Sequence, residues 1–352
     1  MTLISTLQLT NFRNFSSFSV DFSPGISLII GPNGAGKTNI LEAVSNLTPG
    51  RGIRGAAGAD MCKIDTDGWY IASSLETKLG PANLNLGYDA PTKRKHLTFN
   101  DRKITLSELG NFTSAVWLTP QMDGLFAAAP SEKRRFLDRL VLANFKNHAS
   151  LVTSYEKLQR ERMNILETSN DDAWLSIMER DMAGLALDIT KNRLATIELL
   201  NEHIKNIDST FPKAHLSLES PIIELIDDLD AVAVQFKSHR FQDKESGKTH
   251  FGANKTDFVA FYGADNIPAH YCSTGQQKSL LISIIMAHQI AISLKDSIMP
   301  ILLLDEVFVH LDDAKRAALA EFLLVNKAQV LITSTESEVK LLLKSPNIVH
   351  FA

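Results

Sequence analysis

The sequence predicts an α/β protein whose two ends build one head and whose middle supplies a mainly helical insertion. Three observations predict it. Alternating apolar runs fill much of the first 120 residues, helical periodicity takes over from about Pro130 to Ile207, and apolar strands alternate with helices again after Tyr271. The head is expected to be a mixed parallel sheet with helices plus an antiparallel β part, at 1–120 and 255–352. The insertion, with a short antiparallel arm, is placed at 121–254.

Taken in order, Leu3, Leu7 and Leu9 lie on a mostly alternating run, and Phe18, Val20 and Phe22 alternate cleanly. Pro24-Gly25 turns the chain into Ile26–Ile30, and a glycine-rich loop follows. Ile40, Leu41, Val44 and Leu47 have helical spacing, stopped by Pro49-Gly50. Leu84, Leu86 and Tyr88 alternate, then Leu97 and Phe99 meet an Asn100-Asp101 turn with Ile104 on the return. Leu151, Tyr155, Leu158 and Ile165 mark one helical stripe, and Met178, Leu185, Ile189, Leu200, Ile204 and Ile207 lie near a second. The polar break Thr168–Asp172 carries N-cap residues, so two antiparallel helices joined by a short turn are expected. Residues 208–271 are weakly patterned. A helix is expected from Ser273 to Leu294, a strand over Ile301–Leu304, a helix over Asp313–Leu324 and a strand over Val330–Thr333. Trp69, Trp117 and Trp174 are expected in the core.

Of 352 residues, 44% are hydrophobic and 22% charged, the balance of a folded globular chain. Lys and Arg number 36 against 40 Asp and Glu, a net charge of −4, so contact with nucleic acid requires a local patch or a dimer that concentrates one. Two cysteines, Cys62 and Cys272, are too few for a disulfide framework or a zinc site. With a first ten residues that alternate, they point to the cytoplasm. The richest apolar stretch, Leu280–Leu294, is interrupted by Ser283, His288, Gln289 and Ser293, and no membrane span is expected.

Chemistry concentrates in a few places. Gly31-Pro32-Asn33-Gly34-Ala35-Gly36-Lys37-Thr38 matches G-x-x-x-x-G-K-[ST] between a strand and a helix. Its backbone N–H groups and helix start suit a β-phosphate, with Lys37 reaching the β- and γ-phosphates of ATP and the Thr38 hydroxyl ligating Mg²⁺. Ile301-Leu302-Leu303-Leu304-Asp305-Glu306 is an apolar strand ending in two carboxylates. Asp305 is placed to hold Mg²⁺ through water, and Glu306 to polarise an attacking water. Ser273-Thr274-Gly275-Gln276-Gln277-Lys278 opens a helix and offers a second anion site about 240 residues from the first. Taken alone, this segment is equally an ordinary helix cap.

Ser-x-Gly-Gln followed about 30 residues later by the strand and Asp-Glu resembles the signature and Walker B of ABC-type ATPases, and Leu311-Asp312 resembles their D-loop. That resemblance implies that the signature of one subunit caps the γ-phosphate held by another, so ATP is sandwiched in a homodimer. It also implies that Gln121, after the strand Val116-Trp117-Leu118, senses Mg²⁺ as a Q-loop glutamine, although the same position suits an ordinary surface loop amide. Phe12-Arg13-Asn14-Phe15, Gly34 to Ala43 and Pro130-Ser131-Glu132-Lys133-Arg134-Arg135-Phe136-Leu137-Asp138 narrow it: nearly the whole chain resembles the RecF family, short-armed relatives of SMC ATPases. The resemblance implies ATP-dependent dimerisation on DNA, weak DNA-dependent ATP hydrolysis used as a switch, and work with RecR and RecO in loading RecA at gaps during DNA repair and replication restart. Val309 and His310 depart from the family's usual D-loop serine, and Gly252–Asp257 matches a family segment only loosely.

Two other readings compete. A transporter ATPase would place a histidine after the last strand, where this chain has Thr333-Ser334-Thr335, and a small-molecule kinase would lack the second anion site. Among basic residues, Lys93, Arg94 and Lys95 flank a predicted hairpin and Arg134 and Arg135 open a helix. They are the candidate DNA contacts, although a charge run is ordinarily a solvated face. Arg51 and Arg54, beyond the P-loop helix, suit a structural role as well as a ligand-facing one.

Overall fold

Five short strands form a parallel sheet in the order Asn347–His350, Ile26–Ile30, Val330–Ser334, Ile301–Asp305, Ala115–Leu118, with the edge strand Asn347–His350 half-exposed and the others largely buried. The near-continuous Val, Ile and Leu content of the inner three is what burial on both faces requires. A second sheet, six-stranded and antiparallel, runs Phe15–Asp21, Leu3–Phe12, Gly68–Thr77, Gly80–Asp89, Arg94–Phe99, Arg102–Lys103. Here alternation puts Leu7, Leu9, Ile71, Leu84 and Leu86 inside and polar neighbours outside. One core joins these side chains to Ile29, Leu303 and Leu331 of the parallel sheet and to Ile40, Leu41, Val44 and Leu47 of the helix Lys37–Asn46. The Gln329 side chain clips the two sheets together, donating to the Ile4 carbonyl at 2.7 Å and accepting from its N–H at 2.9 Å.

The structure, a computed structural model, describes residues 2–351 except 79, 170, 208–209, 295–298, 326, 336–338 and 344–345. Met1, Asn170 of the polar turn and Asp208 at the start of the weakly patterned region lie outside the described residues. Contacts divide the chain into two units. One comprises residues 1–123, 208–212 and 281–352, and the other 124–207 and 213–280. Residues 255–280, grouped with the head from sequence, fall in the second unit. The reason is pairing: Asp257–Tyr262 and Ile267–Pro268 form a three-stranded antiparallel sheet with Ala214–Glu219, apart from both head sheets.

The second unit is built on two consecutive helices, His148–Thr168 and Asp172–Asn206, of 21 and 35 residues. Asp171 caps the longer one through the Trp174 N–H, as the polar turn predicts. Met178, Met182, Ala186 and Ile189 bury along it against Tyr155, Ile222, Val232 and Phe236. Trp69 and Trp117 are in the core, but Trp174 is 54% exposed. It sits one position off the stripe begun by Leu175 and Met178, and so turns to solvent. The weakly patterned region resolves into short elements, including the helices Leu229–Ser238 and Arg240–Ser246.

This unit holds its helices together with buried charge. Arg162, 0% exposed, donates to Glu179 at 2.8 Å, to Asp243 at 2.6 Å and to the Phe236 carbonyl at 2.8 Å. Glu179 also accepts from Arg240, and Asp243 from the His250 backbone and ring. In a parallel arrangement Asp138 accepts from Arg193 at 2.8 and 2.9 Å and from His148 at 2.9 Å.

Candidate functional site

Parallel strands end on one edge of their sheet, and the loops at those carboxyl ends are where such sheets bind ligands. The P-loop follows Ile26–Ile30, Asp305 and Glu306 end the strand Ile301–Asp305, Thr333 and Ser334 end Val330–Ser334, and Gln121 follows Ala115–Leu118. Four loops far apart in sequence therefore meet on one edge.

The P-loop turns through Gly34 at φ +83° and Gly36 at φ +104°, a left-handed backbone that side chains resist. Gly36 is also crowded, since an added Cβ would lie 2.7 Å from the Asn14 amide nitrogen and the Phe15 ring. Helix Lys37–Asn46 starts directly after it, leaving first-turn N–H groups to face a ligand. The Lys37 ammonium folds over the loop and donates to the carbonyls of Gly31 at 2.7 Å and Pro32 at 2.9 Å. Gly31 and Pro32 thus hold that ammonium at the start of the loop that runs on through Asn33, Gly34, Ala35 and Gly36 to the helix.

Beside it the Thr38 hydroxyl donates to the Asp305 carboxylate at 2.9 and 3.1 Å. The Thr333 hydroxyl donates to the same carboxylate and accepts the Glu306 N–H at 3.1 Å, while the Thr333 carbonyl accepts that N–H at 3.2 Å. Glu306 takes φ +47°, a turn that leaves it half-buried at the edge. Asp305 is only 6% exposed, yet among the described residues hydroxyls meet it and no cationic side chain does. A buried carboxylate without a counter-cation, next to a hydroxyl, is a donor set of hard oxygens that fits Mg²⁺.

Sequence reasoning gave Asn14, Glu42 and Thr333 no part in the site. Asn14 donates to the Ala35 carbonyl at 3.2 Å and accepts from Asn39 at 2.7 Å. Arg13 and Arg54 bracket Glu42, 1% exposed, on the P-loop helix, and Arg54 also donates to Asn39 at 2.8 Å. The loop is therefore braced from outside, and Arg54 is a structural member of the brace. Asn14 lies inside the Phe-Arg-Asn-Phe run, the signal that pointed to it. Gln121 sits exposed on the 3₁₀ turn Pro120–Met122, on the same edge as Asp305 but not bonded to it.

The second predicted anion site lies in the other unit. Ser273 is exposed and Gly275 half-exposed at the start of the helix Thr274–Ser293. The Gln276 N–H donates to the Ser273 hydroxyl at 3.3 Å and the Ser273 N–H to the Gln276 side chain at 2.9 Å, a reciprocal cap. The N–H groups of Thr274 and Gly275 remain without intrahelical partners, as at any helix start. Asp312 caps the helix Asp313–Val325, and its hydrogen bond with Lys315 holds its carboxyl below the usual range.

The basic candidates divide. Lys93, Arg94 and Lys95 are exposed on the hairpin. Arg134 donates to the Thr256 carbonyl at 2.7 Å, its neighbour Lys133 pairs with Asp257 at 2.7 Å, and Arg135 is exposed. Burial lowers the Arg134 pKa, and the nearby Arg193 charge lowers it further.

Residues 3–346 match the model of the RecF/RecN/SMC N-terminal domain. The chain is 41% identical over 341 residues to the DNA replication and repair protein RecF of Rickettsia felis, covering 95% of this chain and 94% of that one. It is 42% identical to the same-named protein of Rickettsia canadensis, at 95% of each chain. Among solved structures, that of the recombination mediator protein RecF with ATP in the RecFOR pathway superposes with a TM-score of 0.84 at 22% identity, over 96% of this chain and 92% of that one. The Smc head domain of Pyrococcus furiosus superposes at 0.59 and 16%, over 99% and 93%. The architecture is that of an ABC-type ATPase head with an inserted lobe.

Proposed function

Because the chain belongs to the RecF family of the RecF/RecN/SMC ATPases, we propose that it is an ATP-gated, DNA-binding recombination mediator. The observation that carries this reading is the Thr38–Asp305–Thr333–Glu306 cluster beside Lys37, which has the parts of a triphosphate-hydrolysing site and a buried carboxylate awaiting a cation. The P-loop N–H groups and Lys37 hold the β- and γ-phosphates of ATP. Thr38 and Asp305 hold Mg²⁺, with Gln121 free to reach the same position. Bound there, Mg²⁺ would draw negative charge from the phosphate oxygens. Glu306, fixed through its N–H by Thr333, accepts a proton from the attacking water.

Ser273, Gly275 and Gln276 of a second copy then cap the γ-phosphate, so the homodimer lasts while ATP is intact and slow, DNA-dependent hydrolysis releases it. The exposure of Ser273 supports this, because a buried helix start would admit no second copy. The protein works in the cytoplasm, where its two free thiols stay reduced, with RecR and RecO at DNA gaps and toward loading RecA. Among the described residues no helix is long and apolar enough to cross a membrane.

Sedimentation with ATP, with ADP and without nucleotide tests the gate. Wild type is expected to dimerise with ATP alone, Lys37→Ala to stay monomeric, and Glu306→Gln to accumulate as dimer while turnover falls about 10²- to 10⁴-fold. A Glu306→Gln protein that hydrolyses ATP like wild type removes Glu306 from the chemistry.

A further inference from the structure

The second unit carries an open cleft of about 610 Å³ that the nucleotide chemistry does not use. Four cationic side chains line it, Arg134, Arg160, Lys248 and Lys255, against one carboxylate, Glu167. Arg160, Lys248 and Lys255 are exposed, and none is paired with a carboxylate among the described residues. Like charges facing one cleft repel unless an anion lies between them.

The wall carrying Lys248 and Lys255 is held in place. Gly252, at φ +115° and ψ −171°, passes so close to Tyr155 that an added Cβ would lie 2.1 Å from its hydroxyl. The Tyr155 hydroxyl donates to Asn254 at 2.9 Å, the Asn254 amide donates to the Thr249 carbonyl at 3.1 Å, and Arg193 donates to the Ala253 carbonyl at 2.8 Å. Thr249 also lines the cleft and is 4% exposed, yet its hydroxyl has no hydrogen-bond partner. A buried hydroxyl left unsatisfied costs about 1–3 kcal/mol, a cost relieved when the side chain rotates to present the hydroxyl to a ligand oxygen in the cleft.

We infer that this cleft binds backbone phosphates of duplex nucleic acid. Its one apolar side chain is Met163, so it lacks the aromatic or aliphatic anchor pocket that a docking protein needs. It also lacks an aromatic platform for unstacked bases, which disfavours single strands. Cations, amides and a free hydroxyl are what contact phosphates without reading sequence. The segment Gly252–Asp257, which sequence left without a role, is the scaffold of this site.

The inference rests on the DNA reading above, and the test separates the two. A fluorescein-labelled duplex of mixed sequence is titrated against the full chain with ATP and Mg²⁺ over a range of salt. Each phosphate contact contributes about −0.9 to the slope of log affinity against log salt, so Arg160→Gln/Lys248→Gln/Lys255→Gln is expected to flatten it by about 2 to 3. ATP-dependent dimerisation is expected to persist. Thr249→Val, which removes an uncharged contact, is expected to weaken binding about fivefold at unchanged slope, in the range of a single hydrogen bond. A wild-type slope in the triple variant overturns the cleft and leaves the DNA reading standing. Unchanged affinity in Thr249→Val also overturns it. Wild-type protein that binds no duplex at any salt overturns the cleft, and one that binds neither duplex, gapped nor single-stranded DNA overturns both.

Discussion

Asp305 and Asp243 are both buried carboxylates, at 6% and 0% exposure, yet their surroundings differ in kind. Asp243 is met by the Arg162 guanidinium and by His250, inside a network that also ties down Glu179 and Arg240. Asp305 is met by two threonine hydroxyls. The first arrangement is closed: every charge has its partner in the chain, and its work is to fix helices against one another. The second is open: among the described residues no cationic side chain meets the carboxylate. Burial alone therefore does not mark a functional carboxylate. What separates these two is the guanidinium that meets Asp243.

The largest expected effect breaks the closed network. Arg162→Met leaves Glu179 and Asp243 short of a cation in a water-free interior, and is expected to cost about 3–5 kcal/mol in denaturant unfolding. A loss below about 1 kcal/mol would show that Arg240 and His250 suffice and that the network is not closed by Arg162.

A smaller effect follows from Asp138. Burial pushes its carboxyl up, but the Arg193 charge and the hydrogen bonds from His148 and Arg193 outweigh burial and hold it at about 2 against an ordinary 3.8. A carboxyl depressed in the folded state contributes stability above its unfolded pKa and loses it as pH falls through the folded value. Asp138 is thus expected to contribute about 2 kcal/mol above pH ~4, lost between ~4 and ~2. Denaturant midpoints measured across that window, with Asp138→Asn beside wild type, check it: equal slopes with pH would remove the assignment.

The smallest effect sharpens the comparison most. With no metal or nucleotide added, Asp305→Asn is expected to change stability by less than about 1 kcal/mol or to raise it, because an uncompensated charge is removed. Asp243→Asn is expected to destabilise by about 3 kcal/mol. Mg²⁺ with ATP should stabilise wild type in thermal unfolding and leave Asp305→Asn unmoved. A strongly destabilised metal-free Asp305→Asn would place Asp305 in the closed class.

The P-loop, the Asp305-Glu306 strand end and the Ser273 helix start were legible in the sequence because each is local. A phosphate cradle needs glycines within eight residues, and a helix start needs its cap within four. Four of the five parallel-sheet strands were legible because burial writes a nearly unbroken apolar run, whereas the half-exposed edge strand Asn347–His350 carries no such run and was missed. Residues 210–271 resisted because short strands and helices of ten residues or fewer carry too few periods to register, and the strand pairing there moved 255–280 out of the head. Trp174 was misplaced by a single helical position, a shift of about 100° around the axis that periodicity does not resolve near a helix start.

The sequence by itself thus determined the P-loop, the strand ending in Asp305-Glu306 and the class of fold, through residues that act within a few positions of each other. Only the tertiary structure decided which charges are satisfied. Thr333 reaching Asp305 and Arg162 reaching Asp243 are contacts across 28 and 81 positions of chain, and Lys248 and Arg160 line one cleft from 88 positions apart. Coulomb and hydrogen-bond energies depend on distance in space, and the linear order of residues carries no record of that distance.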